Sequence, residues 1–324
     1  MPLILLTGAA GFIGSHVACS MIGRGDEVVA IDNMNDYYDP VRKESNLNEI
    51  RSSDTASNFT FIEGDIRDGR LIERLFANHD FDVVVHLAAM AGVRESINHP
   101  ALYYDVNVNG TLALLEACAR HKTTKFILAS TSSVYGHTTQ IPFVETDPCN
   151  QPLAPYSASK RAAELLAYTY FHTYGISTFV LRFFTVYGPR GRPDMMAFKI
   201  AESIYSGREV PLHNNGQMYR DWTYIDDIVA GVVAAADRCD GYQVINLGRG
   251  APVLLRDFVA LIEDRIGKRA NLYAAEMPKV DVPYTYADVR KAARLIDYDP
   301  RIEITEGVNK FVDWFEGATS TSGG

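Results

Sequence analysis

The stretch Leu3-Ile4-Leu5-Leu6-Thr7-Gly8-Ala9-Ala10-Gly11-Phe12-Ile13-Gly14 decides the fold of this chain. Its first five residues form a short, mainly apolar run that predicts a buried strand, and the glycines predict a tight turn into a helix that reaches about Arg24. The glycine spacing is Gly-x-x-Gly-x-x-Gly, which differs from the more common Gly-x-Gly-x-x-Gly. A strand, a glycine turn and a helix in this order are typical of a dinucleotide-binding unit.

Each glycine of this turn has a separate predicted role. Gly8 permits the bend, Gly11 lets the backbone approach a pyrophosphate, and Gly14 lets the helix pack closely on the strand. The helix N-terminus would then face the phosphates. We therefore predict that the cofactor is held here by the three glycines and by Phe12 and Ile13 between them.

An acidic residue ends the second predicted strand, Glu27 to Ile31. Asp32 lies about 20 residues past the glycines, where a carboxylate accepts hydrogen bonds from the adenosine ribose. A carboxylate repels a 2′-phosphate, so Asp32, with Asn33 beside it, favours NAD over NADP. The alternative is that Asp32 is a turn residue, because Asp-Asn is good turn chemistry.

Further apolar runs alternate with helical segments and predict a doubly wound parallel sheet of the Rossmann type. The predicted strands are Phe59 to Glu63, Asp82 to His86, Lys125 to Ser130 and Ser177 to Phe183, and the predicted helices include Pro40 to Ile50 and Pro100 to His121. Ligands bind at the carboxyl ends of such strands. The residues expected there are Asp65 and Ile66 at the adenine, Leu87, Ala88 and Ala89 against a flat cofactor, and Thr131 to Ser133. We interpret His86 as a packed strand-end residue rather than a catalytic one.

The candidate chemistry lies in Ala154-Pro155-Tyr156-Ser157-Ala158-Ser159-Lys160. Pro155 suits a first helical turn, and residues four apart share a helix face, so Lys160 can approach Tyr156 or a shared ligand. A nearby cation favours the phenolate, which makes Tyr156 a candidate acid/base. The alternative is an amphipathic surface pair.

Composition excludes several classes of protein. The 324 residues are enough for one large domain or two, and the 47% hydrophobic and 22% charged fractions are those of an ordinary globular protein. The net charge of -9 gives no long-range attraction to nucleic acid or anionic membranes. Four scattered cysteines indicate neither a disulfide framework nor a metal site.

We also expect a cytoplasmic protein, because the sequence has no signal-peptide pattern and no apolar run of the roughly 18 residues that a membrane span needs. The last eight residues, 317–324, are expected to be a disordered tail.

Together these residues resemble the extended short-chain dehydrogenase/reductase family, specifically its nucleotide-sugar epimerases, over nearly the whole chain. The resemblance implies an NAD-binding Rossmann domain, residues 1–188 with 225–250 returning to it. It also implies a smaller C-terminal substrate domain, residues 189–224 and 251–316. The implied catalytic set is Thr131, Tyr156 and Lys160. Asn107 is implied to support the lysine through the helix before it and to belong to the cofactor-binding residues.

Within the family the sequence is most similar to UDP-glucuronate 4-epimerases, through the segments Met90 to Arg94, Arg182 to Arg190, Gly191 to Met195 and Arg220 to Asp227. UDP-galactose 4-epimerases usually carry Asn where this chain has Thr185, and UDP-glucuronate decarboxylases carry Glu at Ser133. The 4,6-dehydratases have Asp-Glu where Ser132 and Ser133 stand. A carboxylate at these positions would repel a uronic acid, whereas hydroxyls can donate to it.

The resemblance therefore implies NAD-dependent conversion of UDP-glucuronate to UDP-galacturonate through a 4-keto intermediate. Three alternatives stay open: a UDP-glucuronate decarboxylase, a 4-epimerase of a neutral UDP-hexose, and a non-catalytic NAD-binding relative. The intact set of Thr131, Tyr156 and Lys160 argues against the last of these.

The same resemblance implies which side chains bind the sugar nucleotide. Ser132, Ser133, Thr185 and Arg94 would hold the sugar carboxylate, and Arg192 and Arg220 the diphosphate. Lys279, beside Asp281, would replace a phosphate-binding arginine. The alternatives are turn residues for the serines, a satisfied strand residue for Thr185, and solvated surface charges for the cations.

A homodimer is expected from two helical segments with apolar residues to spare. The segments are Leu112 to Ala119 and Ala162 to Phe171, and the spare residues are Leu114, Leu115, Leu165 and Leu166. Relatives pair these helices in a four-helix contact.

Overall fold

The computed structural model describes residues 1–321, with side chains to residue 318. Its strands are β1 Leu3–Thr7, β2 Glu27–Asp32, β3 Phe59–Glu63, β4 Val83–His86, β5 Lys125–Thr131, β6 Ser177–Phe183, β7 Thr185–Tyr187, β8 Glu209–His213, β9 Tyr219–Arg220, β10 Trp222–Tyr224, β11 Tyr242–Leu247, β12 Val253–Leu254 and β13 Asn271–Ala275. Its α-helices are α1 Phe12–Gly23, α2 Pro40–Arg51, α3 Gly69–Asn78, α4 Pro100–Tyr104, α5 Gly110–His121, α6 Pro155–Tyr174, α7 Met196–Ser206, α8 Ile225–Arg238, α9 Leu255–Ile266, α10 Arg290–Ile296 and α11 Ile304–Thr321. The predicted strands all form and begin and end within one residue of the expected positions.

A seven-stranded sheet has the order β11-β6-β5-β4-β1-β2-β3, and every neighbouring pair is parallel. The strand order reverses between β1 and β4, which is where doubly wound sheets bind their ligands. The predicted Rossmann-type sheet is therefore confirmed. β11, far along the chain, pairs with β6 and belongs to this sheet.

Both faces of this sheet are covered by helices. Ile4 and Leu6 of β1 pack into one core with α1, α2 and α8, while Leu5 packs into the other with α3, α5 and α6. Alternate residues of a strand point to opposite faces, so a strand buried on both faces must be apolar at every position. This is why the apolar run that begins at Leu3 predicts a buried strand.

The smaller sheets lie outside the main one. β7 pairs with β10 and β8 with β13, both parallel, and β9 pairs with β12 in antiparallel fashion. The ring of Trp222 in β10 stacks on Phe258 in α9, with 3.7 Å between centroids. This contact attaches α9 to β10, the strand that begins two residues after Arg220 of β9.

The expectation of one continuous helix from Pro100 to His121 needs a correction. Residues Asp105–Asn109 form a π-helical turn between α4 and α5. A π-turn widens the helix and shifts the side chains around it, and such turns are frequent at functional sites. Here it contains the buried side chain of Asn107.

The predicted disordered tail is also wrong in part, because α11 continues to Thr321. Once a helix exists, each added residue gains a backbone hydrogen bond at little further cost, so residues 317–321 extend it. Residues 322–324 lie outside the described part of the chain. Among residues 1–321, no helix is both long and apolar enough to cross a membrane.

Cys19, Cys118, Cys149 and Cys239 are free thiols. Within residues 1–321 no three side chains of His, Cys, Asp or Glu gather in a way that could hold a metal ion.

Candidate active site

The glycine turn has the geometry that a dinucleotide needs. Gly8 has a φ of +76°, and a Cβ there would lie 2.7 Å from the backbone nitrogen of Ala88. A Cβ on Gly14 would lie 2.0 Å from the carbonyl oxygen of Gly8. Both positions therefore require glycine, the first for its conformation and the second for close packing of α1 on the turn.

A cavity of about 350 Å³ opens above this turn at the carboxyl ends of the strands. The predicted site residues that line it are Gly8, Gly11, Phe12, Ile13, Gly14, Asp32, Asn33, Asp65, Ile66, Leu87, Ala88, Ala89, Thr131, Ser133, Tyr156, Lys160, Thr185 and Arg192. We name it the cofactor cavity.

Asp32 lies at one end of the cofactor cavity. Its carboxylate accepts hydrogen bonds from the backbone N–H groups of Ala10 at 3.2 Å and Met34 at 3.0 Å, so it also has the turn role considered as an alternative. The ammonium of Lys43 lies 3.7 Å away. Burial lowers the pKa of Lys43, and the charge of Asp32 opposes that shift. Sequence reasoning missed Lys43, although a lysine at a sheet-facing position of a predicted helix was a usable signal.

Asn33 and Asp65 lie beside Asp32 at this adenosine end. The amide of Asn33 donates to Asp65 at 2.9 Å. The pKa of Asp65 is held far below its usual range, chiefly by hydrogen bonds from the guanidinium of Arg67. Asp65 is thus a firmly ionised acceptor at the predicted position.

Thr131, Tyr156 and Lys160 meet at the other end of the cavity. Lys160 is 3% exposed, and burial lowers its pKa to about 8, against a raising effect of Glu164. Burial raises the pKa of Tyr156, and Arg192 and a hydrogen bond with Thr131 oppose that shift. Arg192 is therefore a second cation near the phenol, one that sequence reasoning did not connect with Tyr156.

Asn107 lies behind this end of the cavity, 1% exposed. Its amide donates to the carbonyl oxygen of Met90 and to Ser159 Oγ, each at 3.0 Å. It also accepts from the Met90 N–H at 2.8 Å. Asn107 thus supports α6 next to Lys160 and does not itself line the cofactor cavity.

A second cavity, of about 660 Å³, adjoins the first. We name it the substrate cavity. The lining residues common to both are Tyr37, Gly92, Val93, Ser133 and Thr185. The substrate cavity is also lined by Arg94, Ser132, Arg220 and Asp281. Ser133 and Thr185 therefore stand where a ligand of one cavity would meet a ligand of the other.

The two cavities and the glycine turn agree with the family to which the sequence is similar. Residues 4–248 match the NAD-dependent epimerase/dehydratase family. The chain belongs to this family. A UDP-glucuronate 4-epimerase of Thermodesulfobacterium geofontis is 42% identical over 315 residues, which cover 97% of this chain and 96% of that protein.

Solved structures of the epimerase/dehydratase family have the same fold. A UDP-glucuronic acid 4-epimerase from Bacillus cereus, in complex with UDP-glucuronic acid and NAD, superposes with a TM-score of 0.91 at 35% identity, covering 98% of this chain and 99% of that one. A UDP-glucose 4-epimerase from Thermotoga maritima, with UDP-glucose, gives a TM-score of 0.89 at 31% identity, with coverage of 98% and 99%.

Two of the predicted substrate residues differ in position, because Arg94 lines the substrate cavity and Lys279 does not. Arg94 pairs with Asp281 at 2.7 Å, so its charge is already matched by a carboxylate. Lys279 is exposed and lines neither cavity, because the loop turns Val280 and Asp281 inward and leaves Lys279 outside. The geometry does not support a phosphate contact from Lys279.

The two arginines proposed for the diphosphate lie in different cavities. Arg192 forms a two-point ion pair with Asp194, at 2.8 and 2.9 Å, in the cofactor cavity near Tyr156. Arg220 lies in the substrate cavity, 8% exposed, and donates to the carbonyl oxygen of Tyr219 at 2.9 Å. Burial lowers the pKa of Arg220. Of the two, Arg220 alone lines the substrate cavity.

Tyr37 is a site residue whose role sequence reasoning missed. Its hydroxyl donates to Asp194 at 3.3 Å, and a Cβ on Gly92 would lie 2.3 Å from that hydroxyl. Tyr37, on the loop after β2, thus lies at the junction of the two cavities. No sequence pattern around Tyr37 predicts its contact with Asp194.

Proposed function

We propose that this enzyme interconverts UDP-glucuronate and UDP-galacturonate with NAD as its resident cofactor. The observation that carries the proposal is the set of neutral hydroxyls of Ser133 and Thr185 at the junction of the two cavities. A carboxylate at this junction would repel a uronic acid, and hydroxyls can donate to it. The similarity to UDP-glucuronate 4-epimerases supports the same substrate.

The residues that line the cofactor cavity fit NAD, because the glycine turn opens into the N-terminus of α1 and the carboxylate of Asp32 lies at the far end of the same cavity. Bound there, NAD would accept a hydride from C4 of the sugar and return it to the opposite face. Tyr156 takes the proton of the C4 hydroxyl as that hydride leaves and gives it back when the hydride returns. Thr131 hydrogen-bonds the same oxygen, and Lys160 and Arg192 favour the ionised phenol. No net redox change occurs.

The intermediate explains why the sugar carboxylate must be gripped. It has a ketone at C4 and a carboxylate on C5, so it is a β-keto acid that tends to lose carbon dioxide. Ser133 Oγ lies 3.2 Å from Thr131 Oγ1, so the hydroxyl proposed for the carboxylate stands beside the hydroxyl proposed for the C4 oxygen. We assign the grip to Ser132, Ser133 and Thr185, and the diphosphate to Arg220. We further propose that residues 189–224 and 251–316 form the substrate domain, with 1–188 and 225–250 as the NAD domain.

Product analysis tests the proposal directly. Purified protein incubated with UDP-glucuronate should yield UDP-galacturonate, identified by proton NMR, without added NAD. UDP-pentose as the main product would favour a decarboxylase, and conversion of UDP-glucose alone would favour a neutral-sugar epimerase. If no UDP-sugar is converted, the proposed function is wrong.

Asp32 predicts which cofactor is purified with the protein. Its carboxylate, already satisfied by two backbone N–H groups, would face the adenosine ribose and repel a 2′-phosphate. We expect heat-released cofactor to be NAD, measured by enzymatic cycling assays specific for each dinucleotide. A preparation that releases mainly NADP would contradict this role of Asp32.

Replacing Ser133 by Ala tests the carboxylate grip. A hydrogen bond to a charged group contributes roughly 1.5–3 kcal/mol, so the partition between hydride return and carbon dioxide loss should shift about tenfold to a hundredfold toward decarboxylation. The measurement is the ratio of UDP-pentose species to UDP-galacturonate. The assignment fails if Ser133→Ala alters neither rate nor product ratio.

We propose a homodimer formed through α5 and α6, with one correction. Leu114 and Leu115 are fully buried within one core cluster of the chain and are therefore not available. Leu165 is 54% exposed and Tyr168 is 49% exposed on α6. Light scattering at micromolar concentration should give a dimer mass, and Leu165→Glu should shift it toward monomer. A monomeric wild type would exclude this assembly.

We also propose that the enzyme works in the cytoplasm without nucleic-acid or membrane partners. The net charge of -9 and the four free thiols support this proposal.

A further inference from the structure

His86 lies at the carboxyl end of β4, 1% exposed, and the proposed chemistry does not use it. Both of its ring nitrogens have partners. Nδ1 is 2.7 Å from Thr7 Oγ1 in β1, and Nε2 is 3.0 Å from Thr111 Oγ1 in α5. The ring therefore joins the residue before Gly8 to the helix that follows the π-turn.

The two hydroxyls determine where the protons of the His86 ring lie. Thr111 donates its single hydroxyl proton to the carbonyl oxygen of Asn107 at 2.6 Å, so toward His86 it can only accept. Nε2 must then carry a proton. Thr7 accepts from the Ala88 N–H at 3.1 Å, and its own proton needs an acceptor, which an unprotonated Nδ1 supplies. All of these groups are satisfied when the ring is neutral with its proton on Nε2.

The surroundings of His86 also favour the neutral ring. Burial lowers its pKa to about 3, and the nearby charge of Lys160 on α6 acts in the same direction. The other groups that face the ring are uncharged: Thr7 from β1, Thr111 from α5 and Phe126 from β5, whose ring centroid is 5.9 Å away. A second proton would add a cation beside Lys160 and leave the Thr7 hydroxyl without an acceptor.

The hydrogen-bond chain continues from Asn107 to the catalytic helix. The Asn107 amide donates to Ser159 Oγ at 3.0 Å, and Ser159 donates to the carbonyl oxygen of Tyr156 at 2.8 Å. At the other end, Ala88 lines the cofactor cavity. One connected set of hydrogen bonds and short backbone segments therefore runs from the glycine turn to the peptide of Tyr156.

We propose that His86 is a positioning residue which, as a neutral ring protonated on Nε2, ties the glycine turn and the floor of the cofactor cavity to the helix that carries Tyr156 and Lys160. The functional half of this inference rests on the proposed role of Tyr156. The protonation state of the ring does not depend on it.

The ring state is tested by nitrogen NMR on holoenzyme labelled with ¹⁵N-histidine. The protein has eight histidines, and a His86→Gln variant identifies the signal of His86. We expect a neutral ring with the proton on Nε2 throughout pH 5 to 8. A proton on Nδ1, or a doubly protonated ring within this range, would overturn the proposal.

The positioning role is tested with two matched threonine variants. Thr111→Val removes the acceptor of Nε2 at nearly constant volume. Thr178→Val is the control, since Thr178 is also fully buried and donates to a backbone carbonyl, that of Ile176 at 3.0 Å, but at the opposite end of the sheet. We expect Thr111→Val to lower kcat about five- to tenfold with KM unchanged, and to change the ¹⁵N signature of His86. Thr178→Val should keep kcat within about twofold and leave that signature unaltered.

Equal kcat values for the two variants would overturn the positioning role. If the wild type converts no UDP-sugar, the proposed function has failed instead, and the ring state of His86 then decides the inference by itself.

Discussion

Replacing Tyr156 by Phe should reduce kcat by about 10²–10⁴-fold, the usual contribution of a positioned acid/base group. The phenol lines the cofactor cavity beside Thr131 and Lys160, and the proposed function assigns the C4 proton to it. Because hydride loss from C4 precedes both epimerisation and decarboxylation, UDP-galacturonate and UDP-pentose should disappear together. The measurement is the initial rate of both products by chromatography.

The control for Tyr156→Phe is Tyr187→Phe. Tyr187 is buried, and its hydroxyl lies 3.4 Å from the carbonyl oxygen of Ile304, away from both cavities. It should retain activity within about twofold. Tyr156→Phe keeps an aromatic ring at position 156, so this variant should retain bound NAD. Activity above a tenth of wild type in Tyr156→Phe would exclude the phenol as the principal acid/base.

Replacing Glu164 by Ala should lower the free energy of unfolding by about 3–5 kcal/mol, because it leaves a buried cation without its partner. Glu164 on α6 is fully buried and binds Arg182 of β6 at 3.0 and 2.8 Å. It also accepts from Ser130 of β5 at 2.5 Å and from Arg161 at 3.0 Å. One carboxylate thus attaches the catalytic helix to two strands. Urea unfolding followed by circular dichroism measures the loss.

Two comparisons sharpen the Glu164 experiment. The exposed pair of Glu44 and Arg51 is the control, and Glu44→Ala should cost less than about 1 kcal/mol. The double variant Glu164→Leu with Arg182→Met should recover most of the loss, since no charge is then buried alone. If Glu164→Ala unfolds at the same urea concentration as wild type, the carboxylate is not a structural anchor.

Features that depend on residues close together in the sequence could be predicted from it, whereas contacts between distant residues could not. The i, i+4 spacing of Tyr156 and Lys160 is a property of one helix, and α6 begins at Pro155 as expected. The ion pair of Arg94 with Asp281 joins residues 187 positions apart, and no local pattern predicts it. The family motif around Arg192 suggests a contact with the diphosphate. In the folded chain Arg192 pairs with Asp194 and lies near Tyr156, at the catalytic end of the cofactor cavity.

By itself the sequence determined the sheet, the glycine turn, the acidic residue after β2 and the spacing of the catalytic pair. These features follow from backbone conformation, side-chain periodicity and positions a few residues apart, which are encoded locally. Only the tertiary structure decided that Lys279 lies outside the cavities, that Glu164 and Arg182 share a buried site, and that His86 connects Thr7 to Thr111. Such contacts depend on which strand ends and loops the fold brings together. Burial there sets the protonation and pairing of each group.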